Sequence, residues 1–167
     1  TKLSKRGYDF DGSDDLIDLQ SDVIGTSAMT YATLISYQGF GGGGTGRLFD
    51  NPKLSAFLSS DRVTFTSDGY GTSATSAPSI PFGKKDTVII TRNASGVANI
   101  YIGGKLSGNA NQASGTPEAG TTNMLIGNRE AGDRAFSGDI LESQFYDYVL
   151  TPLQVADLHI RMMEQIN

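Results

Sequence analysis

The chain has 167 residues, of which 38% are hydrophobic and 19% charged, and its formal net charge is −5. This composition predicts one globular domain with its own core and excludes a disordered chain. No apolar run approaches the ~18 residues that a membrane-spanning helix needs. Nucleic acid is not expected as a partner, because its phosphates require a concentrated cationic face and the basic residues here are scattered. The lack of cysteine excludes disulfides and thiolate zinc sites.

The N-terminal residues are polar and basic. Lys2, Lys5 and Arg6 are followed by no apolar stretch, so the pattern predicts a short solvated arm over residues 1–6 and no signal peptide. Residues 8–10 and 16–19 then read as short strands on either side of an Asp-rich turn.

A glycine-rich stretch at residues 38–49, QGFGGGGTGRLF, has the spacing of a nucleotide-binding loop. Such a loop holds phosphate because it leaves a strand and enters a helix, whose N-terminal N–H groups bind the anion. Here Arg47–Leu48 stands where the Lys-Ser/Thr pair is needed, and the residues that follow read as strands. We therefore interpret the stretch as a flexible crossing at the rim of a β-sandwich.

Short β-rich runs separated by turn residues fill the rest of the chain up to residue 146. Residues 93–96 are predicted to close a hairpin, and Gly103–Gly104 a tight turn that needs positive φ angles. The Ser/Ala/Pro stretch at residues 72–81 is predicted to be a long loop. This spacing of strands indicates a single all-β antiparallel sandwich or jelly roll. The predicted strands are residues 29–37, 47–49, 54–58, 62–66, 87–91, 97–102, 123–126 and 139–146.

One helix is predicted at residues 151–166, opened by a capping box in which Thr151 caps and Gln154 reaches back. It carries two apolar stripes, although a surface helix needs only one. One stripe is Leu153, Ala156, Ile160 and Met163; the other is Val155, Leu158, Met162 and Ile166. We expect the first stripe to seal the sandwich and the second to contact a neighbouring subunit or a host lattice protein. The alternative is that both stripes lie in a groove between helix and sheet.

Several segments resemble laminin G-like jelly rolls, within the concanavalin A-like lectin/glucanase superfamily. Residues 8–18, YDFDGSDDLID, resemble the opening FDGSDDYID of that family, and residues 90–104 resemble its V-T-R-D-x-S-G hairpin. Residues 125–128, 136–140 and 146–158 resemble later segments in the same order. The resemblance implies two antiparallel sheets, one of them concave, with ligands bound by that face or by the rim loops.

Catalysis is not expected. Glucanases of the superfamily carry paired acids on one strand face, about 5 Å apart, and no such motif is present here. Asp139 and Glu142 lie three residues apart and should face opposite sides of a strand. The single histidine, His159, lies in the predicted helix with no sign of a Ser–His–Asp arrangement.

Calcium is the candidate cofactor, since many relatives hold one. Asp11 and Asp14 lie in one turn, and Glu142 lies on a strand that the family pairs near it. However, Leu141 stands where the family pattern has an Asp. The alternative, which we favour, is that Asp11 and Asp14 make turn hydrogen bonds.

Sugar binding would need an aromatic platform beside planar polar groups. Tryptophan, the strongest stacking side chain, is absent, whereas relatives commonly have it. The candidate aromatic residues are Tyr37, Phe40, Tyr70 and Tyr101, and the candidate polar residues are Arg47, Arg92, Asn128, Arg129 and Arg134.

Three functional hypotheses follow. The first is a non-catalytic lectin-like display protein on a phage virion, as a capsid decoration or tail component, partnered by other virion proteins or copies of itself and able to bind glycan. The second is a carbohydrate-binding module of a secreted bacterial protein. The third is a glycan-cleaving enzyme, for which no acid pair is found. The first two place the chain on a virion surface or outside the cell.

Overall fold

The computed structural model describes residues 2–4, 7–59, 62–67, 72–75, 80–110 and 117–165. Its strands, numbered along the chain, form two antiparallel sheets that enclose one core. The architecture confirms the predicted all-β jelly-roll sandwich with a C-terminal helix.

The larger sheet has seven strands, and its order alternates between distant parts of the chain. Its strands, from edge to edge, are β1 (Lys2–Ser4), β2 (Gly7–Asp11), β13 (Ser137–Tyr146), β4 (Met29–Gly39), β9 (Lys85–Arg92), β10 (Ala98–Ile102) and β11 (Lys105–Ala110). The predicted hairpin is therefore confirmed as β9–β10, and Gly103 and Gly104 have the expected positive φ angles of 58° and 71°.

The smaller sheet has six strands and provides the other wall of the core. Its strands, in order, are β3 (Ile17–Asp18), β12 (Leu125–Ile126), β5 (Arg47–Asn51), β6 (Leu54–Ser59), β7 (Arg62–Ser67) and β8 (Thr72–Thr75). The prediction of a loop from residue 72 is wrong for Thr72–Thr75, which pair with β7.

The central strand β4 has apolar side chains on both of its faces. Tyr31, Ile35 and Tyr37 point into the core between the sheets, whereas Ala32 and Leu34, which alternate with them, pack in a second apolar cluster outside. Burying an apolar side chain of this size contributes about 1.5–3 kcal/mol. A strand buried on both faces therefore needs a layer on each side.

The outer layer is α1 (Pro152–Glu164), which packs on the outer face of the larger sheet. Its predicted capping box is confirmed: the Thr151 hydroxyl accepts the N–H of Gln154, whose side chain accepts the N–H of Thr151. In the described part of the chain, no helix is long and apolar enough to cross a membrane.

The prediction of which stripe seals the sandwich is wrong. Val155, Leu158 and Met162, which we expected to form an interface with a neighbour, are buried against the sheet, while Leu153 and Ile160 are exposed. Both stripes are apolar, so composition did not distinguish them. Ile166, the fourth residue of the predicted interface, lies outside the described residues.

Two further expectations are corrected. Residues 2–4 are not part of a free arm, because β1 pairs with β2 at the edge of the larger sheet; Lys5 and Arg6 lie outside the described residues. Asp139 and Glu142 do not face opposite sides of β13. A β-bulge between Ile140 and Glu142 shifts the register, so Asp139 and Glu142 oppose Ser36 and Leu34, two outward-facing positions of β4.

Candidate ligand-binding face and rim

A polar groove of about 310 Å³ lies on the outer face of the smaller sheet. Because α1 packs on the larger sheet, this face is not covered by the helix. Alternation along β5, β6 and β7 sends apolar residues into the core and polar residues outward. The groove is lined by Arg47, Asp50, Asn51, Pro52, Leu54, Ser55, Phe57, Thr66 and Arg129.

Arg47 and Asp50 form an ion pair in this groove. Nε of Arg47 lies 2.8 Å from Oδ2 of Asp50, and each side chain is only 13% exposed. The guanidinium carbon of Arg47 also lies 4.4 Å from the ring centroid of Phe57, in cation–π contact. Residues three apart on a regular strand face opposite sides, but a β-bulge between Arg47 and Phe49 brings both ends of the pair to the outer face.

Burial perturbs both members of the pair. Desolvation raises the pKa of Asp50 to about 6, although the charges of Arg47 and Arg129 act in the opposite direction. Burial likewise lowers the pKa of Arg47, which Asp50 partly offsets. A desolvated carboxylate between guanidinium groups, beside open space, is typical of binding and catalytic sites.

The loop after β12 brings Arg129 to the groove. Asn128 is buried, and its Oδ1 accepts the N–H groups of Arg129 and Arg134 at 2.9 and 3.0 Å, which closes the loop. Arg129 then donates two hydrogen bonds to Asp133, at 2.6 and 2.7 Å, which lower the pKa of Asp133 to about 2. Asn128 therefore stabilises the loop, and the loop places the guanidinium of Arg129 at the groove.

Arg134 supports the glycine-rich loop instead of facing the groove. Its Nη1 donates to the carbonyl of Gly43 at 2.6 Å and to Oγ1 of Thr45 at 3.0 Å. Gly43 has a φ of 56°, in the left-handed region that favours glycine, and a Cβ there would displace Nη1 of Arg134, which would lie 2.2 Å away. The loop forms only one 3-10 turn, Gly42–Gly44, before β5 begins at Arg47, which contradicts a phosphate-binding strand–loop–helix arrangement.

An aromatic corner, formed by Phe40 and Phe82, lies at the rim where β4 ends and β9 begins. The Phe82 ring stacks on Tyr37, with centroids 4.8 Å apart and planes 23° apart. Phe40 meets Phe82 nearly edge-on, at 5.4 Å and 74°. Tyr37 itself is buried, so its predicted role as a sugar platform is wrong, and it supports the exposed rings.

Three other predicted sugar-binding residues do not join either group. Arg92 is fully buried at the opposite end of β4, where Nη2 donates to the carbonyls of Gly25 and Ser27 at 3.1 and 2.6 Å. Those contacts hold a loop, so Arg92 is structural. Tyr101 is buried in the cluster beneath α1. Tyr70 lies outside the described residues.

The predicted calcium ligands are not brought together. Asp11 accepts the N–H of Ser13 at 2.8 Å, the hydrogen bond of an Asx turn. In the β2–β13 pairing, Asp11 lies opposite Ser137 at one end, whereas Glu142 lies past Ile140 at the other end. No group of three His, Cys, Asp or Glu side chains suited to a metal occurs among the described residues. Asp11 and Glu142 therefore do not share one site, and calcium binding stays a prediction.

Sequence reasoning missed Asp50 and Phe82. Asp50 sits three residues from Arg47, a spacing that implies opposite faces unless a bulge intervenes. Phe82 lies in a turn between Pro81 and Gly83, and nothing in that context indicates that its ring stacks on Tyr37. In both cases the contact depends on strands that are distant in sequence.

Comparison with known proteins agrees with this architecture. A family described as the concanavalin A-like lectin/glucanases superfamily, of laminin G type, matches residues 11–156. No curated protein sequence matches the chain.

Many solved structures are similar to the chain; three of them are described here, each at less than 20% identity, so the likeness establishes the fold alone. The CBM40 of the Ruminococcus gnavus IT-sialidase, bound to α2,3-sialyllactose, has a TM-score of 0.76 and 14% identity, over 93% of this chain and 97% of that one. Domain 4 of AbnA, an extracellular GH43 arabinanase from Geobacillus stearothermophilus in complex with arabinotriose, has a TM-score of 0.67 and 19% identity. The match covers 95% of this chain and 79% of that one. A heptameric SAP-like pentraxin from Limulus polyphemus has a TM-score of 0.66 and 16% identity, over 93% of this chain and 77% of that one.

Proposed function

Because the chain belongs to the laminin G-like family of the concanavalin A-like lectin/glucanases superfamily, we propose that it is a non-catalytic carbohydrate-binding domain that acts outside the cell. The groove on the smaller sheet is its binding site. Two similar structures were determined with oligosaccharides bound, α2,3-sialyllactose and arabinotriose, which supports this class of ligand.

The observation that carries the proposal is the arrangement of Asp50 between Arg47 and Arg129 beside open space. A sugar presents neighbouring hydroxyl groups, each of which can donate one hydrogen bond and accept others. A carboxylate accepts and a guanidinium donates, so the two together satisfy adjacent hydroxyls. Charge-assisted hydrogen bonds of this kind are stronger than neutral ones, and partial burial reduces competition from water.

The acids on the larger sheet do not support catalysis. Glycoside hydrolysis needs two carboxyl groups on either side of a bound sugar. Although the bulge in β13 places Asp139 and Glu142 on one face, Asp139 lies opposite Asp9 on β2. Glu142 accepts a hydrogen bond from Gln144 through Oε1, and its Oε2 is buried. Glu142 also lines a cavity of about 220 Å³, but no second carboxyl group is among the residues that line this cavity.

Binding is tested on a glycan array that includes α2,3-sialyllactose and arabinotriose, followed by calorimetric titration of the best ligand. We expect micromolar affinity that falls at least tenfold in Asp50→Asn and in Arg129→Gln. Arg161→Gln is the matched control, because Arg161 also forms an exposed i,i+4 ion pair, with Asp157, but on α1. No binding on the array, or full affinity in both groove variants, refutes the proposed site.

The non-catalytic part is tested with the ligand found on the array. After prolonged incubation we expect no new reducing ends. Release of reducing ends that Glu142→Gln abolishes would show an enzyme instead.

Display on a virion surface remains a hypothesis from the sequence. It is compatible with glycan binding, since a particle protein of this fold could bind a cell-surface glycan. The neighbouring genes distinguish the settings: a capsid or tail cluster supports display, and a polysaccharide-utilisation cluster supports a module of a secreted protein.

A further inference from the structure

We propose that the aromatic corner of Phe40 and Phe82 is a second carbohydrate subsite, which stacks the flat face of a neutral, β-linked pyranose unit. The proposal rests on the proposed function but concerns a different surface from the Arg47–Asp50 groove.

The two rings are exposed where a folded chain would normally bury them. Phe82 is 55% exposed and Phe40 43% exposed, and they are in direct contact. Single exposed apolar residues are ordinary, but adjacent exposed aromatic rings at a loop rim indicate a binding surface.

The corner is held rigidly. Pro81 to Lys84 form a turn in which the N–H of Lys84 donates to the carbonyl of Pro81 at 3.1 Å, and Gly83 supplies the positive φ of 71°. The N–H of Gly83 donates to the carbonyl of Tyr37 at 2.7 Å, which ties the turn to β4. One face of the Phe82 ring rests on Tyr37, so its position is fixed before any ligand binds.

The shape of the corner fits a sugar ring. Phe82 provides a platform, and Phe40 stands nearly perpendicular to it as a wall. A pyranose with equatorial substituents presents axial C–H groups on a flat face, which pack on an aromatic ring, while its hydroxyls point outward to water. Stacking requires no ligand charge, and the corner consists of uncharged rings.

The size of the surface argues against a protein partner. Exposed Lys84 and Lys85 follow Phe82 directly, and the glycine-rich loop follows Phe40. Among the described residues the corner consists of two rings, whereas each partner in a standard protein interface buries roughly 800 Å². A single sugar unit needs no more than this.

The test uses cellotetraose, β-1,4-xylotetraose and lactose as probes in ¹⁵N–¹H NMR titrations. We expect saturable shifts of the Phe82 and Gly83 amide signals with at least one probe. Phe82→Ala should weaken this binding at least tenfold. Leu106→Ala is the matched control, because Leu106 is 56% exposed on β11, and it should leave the affinity unchanged.

A second variant guards against a folding defect in Phe82→Ala. The chain contains no tryptophan, so Phe82→Trp introduces a single tryptophan, whose emission is separable from that of tyrosine and whose ring has a larger stacking surface. Its emission should shift on addition of the same probe, with affinity equal to or above that of the unmodified protein. Absence of shifts at Phe82 and Gly83 with all three probes refutes the subsite. If the Asp50 and Asn51 amides shift while Phe82 does not, the proposed function stands and the second subsite falls.

Discussion

The buried carboxyl of Asp50 should make the stability of the protein depend on pH in a defined direction. Its pKa is about 6 in the folded protein, against an ordinary value of 3.8. The folded state therefore binds the proton more tightly than the unfolded state. The stabilisation from this proton is fully present below about pH 4 and is lost as the pH rises through about 6.

The magnitude follows from the two pKa values. They differ by about 2, which corresponds to about 3 kcal/mol between the protonated and ionised forms. The Asp50 side chain is 13% exposed, so solvent screening reduces this little. The physical cause is that desolvation of the carboxylate outweighs its attraction to Arg47 and Arg129.

The assay compares urea unfolding of the unmodified protein and of Asp50→Asn at pH values from 3 to 8. Other titrating groups are shared, so they cancel in the difference between the two proteins. We expect the difference to change by about 3 kcal/mol across this range, with the unmodified protein losing stability relative to the variant as the pH rises. A constant difference, or one of opposite slope, would refute the reasoning, as would a carboxyl ¹³C titration midpoint near 4.

Two further predictions concern packing. Leu158→Ala should lower the free energy of unfolding by about 2–5 kcal/mol, because it leaves a cavity beneath α1. Leu153→Ala, at an exposed position of the same helix, should lower it by less than about 0.5 kcal/mol. Equal losses in thermal unfolding would contradict the observed orientation of the helix. Gly127→Ala should destabilise the fold by more than Gly44→Ala in chemical unfolding, since both have positive φ but only at Gly127 would a Cβ meet a buried ring, 1.9 Å from Phe10. Comparable losses would show that the ring gives way.

Local sequence determined the elements whose cause is local. The capping box at Thr151 sets the start of the helix because its hydrogen bonds join residues three apart. Gly103 and Gly104 set a turn because few other residues adopt their positive φ angles. Repeated short strands predicted the sandwich, and the family resemblance was confirmed over residues 11–156.

The site depended on tertiary structure. The bulge in β5 pairs Arg47 with Asp50, and the bulge in β13 places Asp139 and Glu142 on one face, both against the simple alternation of a strand. Arg92 has the same charge as the groove arginines, yet it is buried, and its guanidinium donates hydrogen bonds to the carbonyls of Gly25 and Ser27.

The buried face of the helix could not be predicted from the sequence. Its two apolar stripes are equivalent by composition, and only docking on the larger sheet selects Leu158 for burial over Leu153. The physical reason is one of range. Turns, caps and periodicity arise from interactions within a few residues, whereas strand register and the choice of buried face depend on partners far away in the chain.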